Sequence, residues 1–587
     1  MAMKNLFICL LITAFGITEQ VQAQGCIPDT LILSRQGQID SFAINYPGCH
    51  KILGTLIIQE ANSGEITRLQ GLSQLDSILG GLHIGSWDWA KGCIGSNSSL
   101  SNLNGLNRLS YIGKDLYIEC NPSLTSLAAL KELKEIVQEL TIRNNNSLLT
   151  LNGLDNISSI GGSLKVDNNA SLTDLSGFPK LSAVDGGLSV SNNESLLSLD
   201  GLNNLISINQ NYLSIIFNKS LRSLQGLDKL KSVGGLIINN NASLTDLSGL
   251  ENLTNIQGGI SIFGNASLVS LKGLSLRNNS VRIMTIHGND SLRNLDELAN
   301  LTVIESDFYL TQNFSLTSIS GLRNLKSIGG SLNLDDNKSL KSLNGLDNLS
   351  SVGSDLYIAN SSLKSLSGLS KLASIGGVLT FKLNDLLSDL NGLNNLKSVG
   401  KGVDISSNIS LKNLNGLENL ISIGGFLKIN ENDSLASLQA LDSIHSNTVT
   451  VLLIEKNPLL STCEEFSICS YLQSQKPRTI RANAPGCRSI MEVIAVCQAT
   501  AVNNLNKNHL EIEIFPNPSD GLIIIQSDQP ELLKYRIYSP AGQIMKAGQV
   551  HSREQFDISS FPEGMYYIEI IAGNEVMTKK MMMLTAK

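Results

Sequence analysis

Charged and aromatic side chains are scarce in this sequence of 587 residues, at 16% and 5% of the chain. The formal net charge is −7, and no basic stripe is present that could follow a phosphate backbone, which argues against a nucleic-acid partner. No nucleophile is spaced with a base, no glycine-rich phosphate loop opens a helix, and no acidic repeat is typical of calcium sites. We therefore expect a protein that is not an enzyme and that has no cofactor or metal.

Long hydrophobic runs are missing as well. Residues 1–23 form a predicted signal peptide: Lys4 gives the positive start, a short apolar run follows, and Val21-Gln22-Ala23 is a small-residue cleavage signal. A lipoprotein interpretation would use Cys26, but the residues before it lack the aliphatic position of a lipobox. No later run is long enough for a transmembrane helix. We expect a secreted protein with no transmembrane segment.

Cysteine is absent from the middle of the chain, since none lies between Cys120 and Cys463. Of the nine cysteines, Cys9 falls in the signal peptide, and the other eight form one group near each end. An even count in a secreted chain predicts disulfides. The predicted pairs are Cys26–Cys49, Cys93–Cys120, Cys463–Cys487 and Cys469–Cys497; within the C-terminal group two other connectivities stay open.

What the sequence has in abundance is a repeat. A Gly-Leu step recurs every 23, 24 or 25 residues, and one clean copy runs from Ser315 to Asn337. Leu332 and Leu334 alternate with Asn333, which predicts a short strand with its two leucines facing inward. The pattern predicts a mainly β chain in which coils of about 24 residues stack into a parallel solenoid.

A column of asparagines follows the predicted strands at the same period. We interpret it as a structural ladder whose buried amides satisfy backbone groups of adjacent coils. Its members are Asn121, Asn145, Asn169, Asn193, Asn218, Asn241, Asn265, Asn289, Asn313, Asn337, Asn360, Asn384, Asn408, Asn432 and Asn457.

The first interval is longer, because 34 residues separate Gly71 from Gly105. The insertion contains Trp87, Asp88 and Trp89, with the only two tryptophans of the chain. Two tryptophans on a disulfide-tethered loop are a candidate binding loop for a sugar or a protein partner. The alternative is that both rings plug the open end of the first coil. A second candidate surface is the outward face of the sheet, where Tyr117, Tyr309 and Tyr357 stand in an otherwise mixed row.

The strand-and-asparagine pattern resembles leucine-rich repeats, and the longer sequence pattern SLxxLxGLxxLxxIGGxLxI resembles the receptor L-domain β-helix of growth-factor receptors. The resemblance covers about residues 52–457 and implies the fold rather than a function. We assign residues 24–51 to a disulfide-containing N-terminal cap, 52–460 to the leucine-rich solenoid, 461–498 to a disulfide-rich C-terminal cap and 499–510 to a linker.

Residues 511–587 have the strand and turn signals of a small β-sandwich. Their sequence pattern resembles the type A C-terminal sorting domain of the type IX secretion system. The matching positions include Phe515, Pro516, Asn517, Pro518, Gly542, Gly564, Tyr566, Lys579 and Lys580. The resemblance implies passage through the periplasm and delivery to the outer surface of a Gram-negative bacterium, or release from it, with the secretion machinery as a partner.

We therefore expect a monomeric, non-catalytic recognition or adhesion protein that binds an unknown protein or glycan. A structural spacer or surface-coat component without a specific ligand is the alternative, and an enzyme is the third.

Overall fold

The computed structural model describes residues 25–277, 279–505, 512–527, 532–540, 542–551, 553–572 and 575–584. The predicted signal peptide, residues 1–23, lies outside them. The chain forms two compact units, which divide between Ile494 and Ala495.

The first unit is the predicted parallel solenoid, and nineteen strands form one long sheet along it. Neighbouring strands pair in register, as Leu140 does with Leu116 on one side and Leu164 on the other. The strands of the long sheet are Leu31–Leu33, Leu56–Ile58, Leu82–Ile84, Leu116–Glu119, Leu140–Arg143, Leu164–Asp167, Leu188–Ser191, Tyr212–Ile216, Gly235–Asn239, Ile260–Phe263, Met284–His287, Phe308–Thr311, Leu332–Asn333, Leu356–Ala359, Val378–Lys382, Gly402–Ser406, Phe426–Asn430, Val451–Glu455 and Arg478–Arg481.

Two-residue strands form two further parallel sheets. The first consists of Lys51–Ile52, Ser77–Ile78, Tyr111–Ile112, Glu135–Ile136, Ser159–Ile160, Ala183–Val184, Ser207–Ile208, Ser232–Val233 and Asn255–Ile256; the second consists of Ser280–Val281, Val303–Ile304, Ser327–Ile328, Ser351–Val352, Ser374–Ile375, Ser398–Val399 and Ser422–Ile423. Turns join the sheets, with single 3₁₀ turns at Gln70–Leu72, Ala128–Leu130, Asp296–Leu298, Ser320–Leu322, Ser367–Leu369 and Gln439–Leu441.

Each coil buries one set of aliphatic side chains against the coils on either side. In the clean copy of the repeat, the predicted inward residues Leu332 and Leu334 are buried, together with five further aliphatic residues: Leu316, Ile319, Leu322, Leu325 and Ile328. Burial of each side chain contributes roughly 1.5–3 kcal/mol, and it is available only in the stack. Glycine recurs where coils approach closely, because a Cβ at Gly345, whose φ is +118°, would collide with the carbonyl oxygen of Ile319 in the preceding coil.

The asparagine column runs through the solenoid as a buried ladder. Asn265 is typical, since its Nδ2 donates to the carbonyl oxygens of Ile238 (2.7 Å) and Phe263 (3.2 Å) and to Oδ1 of Asn289 (3.2 Å). Its own Oδ1 accepts from the backbone N–H of Asn241 at 3.0 Å. Each amide therefore links one coil to the next and satisfies backbone groups that would otherwise be buried without partners.

One predicted member of the ladder is wrong by one residue. Asn360 has a left-handed backbone, with φ of 47°, and its Nδ2 donates to Asp335 outside the ladder. Ser361 takes the ladder position and donates its hydroxyl to Oδ1 of Asn384 at 2.6 Å. Relative to the start of the strand in this coil, Leu356–Ala359, position 361 is equivalent to the ladder asparagine of the other coils. This coil has a serine at that position.

The ladder also extends beyond the predicted column at both ends. Asn97 donates from Nδ2 to Oδ1 of Asn121 at 2.9 Å, and Asn483 accepts at Oδ1 from the backbone N–H of Asn457 at 3.0 Å. Asn97 lies 24 residues before Asn121. The regular period therefore resumes directly after the tryptophan insertion, and that signal was present in the sequence.

Both predicted caps contribute to the long sheet, and this changes the predicted boundaries. Leu31–Leu33 and Arg478–Arg481 are the end strands, so the regular sheet starts inside residues 24–51 and ends inside 461–498. Short helices, Gln36–Asp40 and Phe42–Asn45, cover the N-terminal end, and Phe466–Leu472 lies at the C-terminal end. The predicted linker at 499–510 begins within a helix, Ile490–Leu505, and residues 506–511 are outside the described residues.

Disulfides lie in both terminal regions of the solenoid. Their pairs are Cys26–Cys49, Cys93–Cys120 and Cys463–Cys487. Cys469 and Cys497 are disulfide-bonded too. Because the other six described cysteines are paired with one another, Cys469 and Cys497 form the fourth disulfide.

The C-terminal cap contains a carboxyl group with a strongly shifted pKa. Burial, with smaller contributions from Asp442 and Glu464, raises the pKa of Glu465 to about 7. The folded state then binds a proton that the unfolded chain has already lost, so unfolding free energy falls as pH rises from about 4.5 to about 7.

We expect Glu465→Gln to raise the melting temperature at pH 8, where the charge is buried, and to lose this advantage towards pH 5. Thermal unfolding at both pH values is the measurement, and Glu132→Gln, at an exposed carboxylate, is the matched control. An equal effect of Glu465→Gln at both pH values would contradict the assignment.

The second unit ends in the predicted small β-sandwich. One antiparallel sheet contains Ile512–Phe515, Leu522–Ser527 and Gln555–Asp557; the other contains Ile544–Val550, Leu533–Tyr538, Gly564–Ala572 and Glu575–Met583. Buried side chains from both sheets form one core, including Ile523 and Ile525 from the first and Ile537, Ile568 and Met581 from the second.

Candidate functional site

The tryptophan insertion folds as a β-hairpin, which we call the Trp hairpin, from Ser86 to Gly95. Ser86–Asp88 pairs antiparallel with Gly92–Gly95. Oδ1 of Asp88 closes the turn by accepting from the backbone N–H groups of Ala90 and Lys91, both at 2.9 Å. The disulfide Cys93–Cys120 joins the hairpin to the end of the neighbouring strand, so its position on the sheet is fixed covalently.

Neither indole ring is in the interior of the coil. Trp89 is 84% exposed, and Trp87 is half-buried. Both rings contact Arg143, whose Cζ lies 4.9 Å from the centroid of Trp89 and 5.3 Å from that of Trp87. Arg143 is on the outward face of its strand, since Leu140 and Ile142 of that strand face the core. The hairpin therefore covers the outward face of the long sheet, and this geometry differs from the alternative in which both rings plug the first coil.

Arg143 is the buried centre of this arrangement. Its Nε donates to Asp167 at 2.9 Å, its Nη1 lies 3.8 Å from Glu119, and its side chain is only 8% exposed. Burial raises the pKa of Glu119, and the positive charge of Arg143 opposes that shift. Contact of a guanidinium with two indoles adds cation–π attraction to the ion pairs. The result is a rigid support beneath both rings.

Arg143 and Glu119 were missed by the sequence analysis, although a signal for them existed. Glu119, Arg143 and Asp167 follow one another at intervals of 24 residues and pair in register on adjacent strands. A column of alternating charge at the repeat period places such side chains side by side on one face.

A second row of polar side chains runs beside the first. Lys165 donates to both carboxylate oxygens of Glu139, at 2.9 and 2.8 Å, and Thr141 donates its hydroxyl to the same carboxylate at 2.8 Å. The rings of His83 and Tyr117 stack with centroids 4.6 Å apart. The row thus presents fixed hydrogen-bonding groups next to the hairpin.

The protonation states of the two stacked rings follow from their surroundings. Burial lowers the pKa of His83, with Asp115 acting in the opposite direction. Burial and neighbouring carboxylates, Glu139 first among them, raise the pKa of Tyr117 to about 12. At neutral pH the tyrosine is therefore a neutral hydroxyl that can both donate and accept a hydrogen bond.

Together these residues enclose a cleft of about 420 Å³, which we call the Trp cleft. Its side walls include Gln59, His83, Trp87, Trp89, Tyr117, Glu119, Glu139, Thr141, Arg143 and Lys165. The volume is within the ~300–1,000 Å³ typical of small-molecule sites. Of the predicted site residues, Trp87, Trp89 and Tyr117 come together here, and Asp88 closes the hairpin turn.

The other two predicted tyrosines lie elsewhere on the long sheet. Tyr309 and Tyr357 flank Asn333 on consecutive strands. Eight strand steps separate Tyr309 from Tyr117, which at ~4.8 Å per step is roughly 38 Å. Burial raises the pKa of each, and nearby aspartates add to the shift. The three tyrosines therefore do not form one site.

Metal-ligating side chains do not cluster in the described part of the chain. No group of three or more His, Cys, Asp or Glu residues there is arranged to hold a metal ion.

Part of the predicted sorting motif lies at the last strand, Glu575–Met583, which contains Lys579 and Lys580. Asn517 donates from Nδ2 to the carbonyl oxygen of Lys580 at 2.8 Å and accepts at Oδ1 from the N–H of Met582 at 2.9 Å. Tyr566 donates its hydroxyl to the carbonyl oxygen of Pro562 at 2.8 Å. Gly542 lies in a turn with φ of +79°, and Gly564 begins the strand Gly564–Ala572 with φ of +152°; glycine adopts both values without strain.

Residues 513–584 match the family described as a secretion system C-terminal sorting domain. This domain indicates export by the type IX secretion system, and hence secretion or attachment to the cell surface. No curated protein is significantly similar to the chain. Among the described residues, no helix combines the length and the apolar character needed to cross a membrane.

Proposed function

We propose that this protein is a non-catalytic recognition protein, which the sorting domain delivers to the surface or the surroundings of a Gram-negative cell by way of the periplasm. The solenoid presents the Trp cleft, and the predicted signal peptide directs the first membrane crossing. A cell-surface adhesin is the function in which these parts act together.

One observation carries the proposal: Trp89 is 84% exposed on a hairpin that a disulfide and a buried arginine hold in place. An exposed indole leaves a large apolar surface in contact with water, which a partner would bury on binding, and tryptophan is among the residues enriched at binding hot spots. Rigid support lowers the entropic cost of binding, because the ring is already ordered before a partner arrives.

The test compares binding by the purified mature chain with binding by Trp89→Ala on a panel of immobilised extracellular proteins and glycans. We expect saturable binding that Trp89→Ala weakens about 30-fold or more, since a hot-spot residue contributes ~2 kcal/mol or more. Its melting temperature should barely change, because the exposed ring contributes little to the core.

Tyr357→Ala is the matched control, since Tyr357 is another aromatic side chain on the outward face of the same sheet, far from the cleft. It should bind as the unmodified chain does. Absence of saturable binding to every member of the panel, together with a surface-assembly defect when the gene is deleted, would instead support a structural spacer. Turnover of any substrate would contradict the non-catalytic assignment.

A further inference from the structure

The most exposed apolar surface of the Trp cleft is one flat indole ring. Trp89 extends from the hairpin with most of its surface free, while Arg143 contacts it on the sheet side. Trp87, the other indole, is half-buried and contacts the same guanidinium. A ligand therefore meets Trp89 as the most exposed of the rings that line the cleft, rather than a deep apolar pocket of the kind that receives a hot-spot side chain of a protein partner.

The cleft is also lined by hydrogen-bonding groups that are held in position. Lys165 and Thr141 fix the carboxylate of Glu139, and stacking on His83 fixes the ring of Tyr117. The carboxylate oxygens are acceptors, and the tyrosine hydroxyl can act in either direction. Such a lining suits a ligand with several hydroxyl groups, because each hydroxyl can donate to one fixed acceptor and accept from another group.

The charges of the cleft balance, which restricts the ligand further. Two carboxylates, Glu119 and Glu139, and two cations, Arg143 and Lys165, line it. Every one of them already has an oppositely charged partner within 4 Å. A charged ligand would have to displace one of these pairs and leave its partner in the cleft uncompensated. The electrostatics therefore favour a neutral molecule.

We propose that the Trp cleft binds a neutral saccharide, with one sugar ring stacked on Trp89 and its hydroxyl groups bonded to Glu139 and Tyr117. A pyranose combines a flat C–H face with hydroxyls on its edge, which are the two features that the cleft matches. This inference rests on the proposed recognition function and narrows its ligand to one chemical class.

The dimensions indicate a short glycan or the end of a longer one. The cleft encloses about 420 Å³. Along the outward face of the long sheet, the next tyrosine after Tyr117 is Tyr212, four strand steps or roughly 19 Å away at ~4.8 Å per strand. A long polysaccharide along the sheet would therefore find no stacking ring on the three strands between, Leu140–Arg143, Leu164–Asp167 and Leu188–Ser191.

The experiment uses the mature full chain on an array of neutral, sialylated, sulfated and amino oligosaccharides, followed by calorimetry with the neutral ones that bind. We expect Trp89→Ala to weaken binding about 10-fold or more, and Trp89→Phe to weaken it less, because a smaller ring keeps part of the stacking. Tyr357→Ala should bind as the unmodified chain does. Near-identical melting temperatures establish that the variants are folded.

The outcomes separate this inference from the proposed function. Binding restricted to charged saccharides, or neutral binding that Trp89→Ala leaves intact, would overturn the neutral-saccharide site. Trp89-dependent binding to purified proteins with no saccharide bound would overturn the inference and leave the recognition function standing. No Trp89-dependent binding to saccharides or proteins would overturn both.

Discussion

Removal of residues 511–587 should abolish delivery to the cell surface and to the medium. The deleted segment contains the whole match to the sorting domain, residues 513–584, and this domain is the part that indicates type IX export. The predicted signal peptide directs only the first crossing, so we expect the shortened chain to accumulate in the periplasm. Fractionation of cells, with immunodetection of each fraction, measures the distribution.

The complementary experiment attaches residues 511–587 to a reporter that is normally periplasmic. Because the sandwich has its own buried core, the fused domain should fold and carry the reporter to the surface. Retention of the truncated protein in the periplasm together with export of the reporter would establish that the domain is both necessary and sufficient. Truncated protein on the surface at unmodified levels would contradict the assignment.

The largest effect on stability from a single polar side chain is expected at the asparagine ladder. Asn265→Ala removes the donor to two backbone carbonyls and to Asn289, and it removes the acceptor of the Asn241 N–H. The Phe263 carbonyl keeps the N–H of Asn240, and Oδ1 of Asn289 keeps the N–H of residue 265, so the Ile238 carbonyl and the Asn241 N–H are the groups most affected. Each buried polar group left without a partner costs ~1–3 kcal/mol, and we expect a total loss of about 2–6 kcal/mol. Hydrogen exchange should rise most in the coils that contain Asn241, Asn265 and Asn289, since each coil contacts only its neighbours.

Asn252→Ala is the matched control in the same part of the solenoid. Asn252 is exposed and makes one hydrogen bond, from Nδ2 to the carbonyl oxygen of Asp228 at 2.7 Å. Its replacement should change the unfolding free energy by no more than ~0.5 kcal/mol. Equal destabilisation by the two substitutions would show that the ladder contributes no more than a surface amide.

The repeat made the solenoid predictable because the same physical requirement recurs in every coil. A leucine at a given position must be buried against the equivalent leucine of the next coil, so the period alone assigns inward and outward faces. Errors occurred where one coil departs from the rest. Asn360 looks like a ladder residue by count, but the position relative to its own strand gives Ser361, whose hydroxyl replaces the amide.

The Trp cleft was only half predictable. The insertion and its two tryptophans are visible in the sequence, but the direction in which the hairpin folds depends on what lies beneath it. That support is the buried guanidinium of Arg143, held by carboxylates from the two adjacent strands. The residues around Trp87 and Trp89 form no sequence pattern that predicts a contact with a side chain more than fifty positions later in the chain. Only the column of charges at the repeat period contains that information.

The ladder also has a consequence for how such a protein changes over evolutionary time. Apart from the coil with Ser361, the central coils present the same amide to the coil before and the coil after, so a gene duplication that inserts one whole coil preserves both connections. The cysteine-free stretch between Cys120 and Cys463 imposes no covalent pairing that an extra coil would disrupt. Length is therefore a freely variable trait in the middle of this chain. The coils that form the Trp cleft are different, because Glu119, Arg143 and Asp167 must stay on three successive strands.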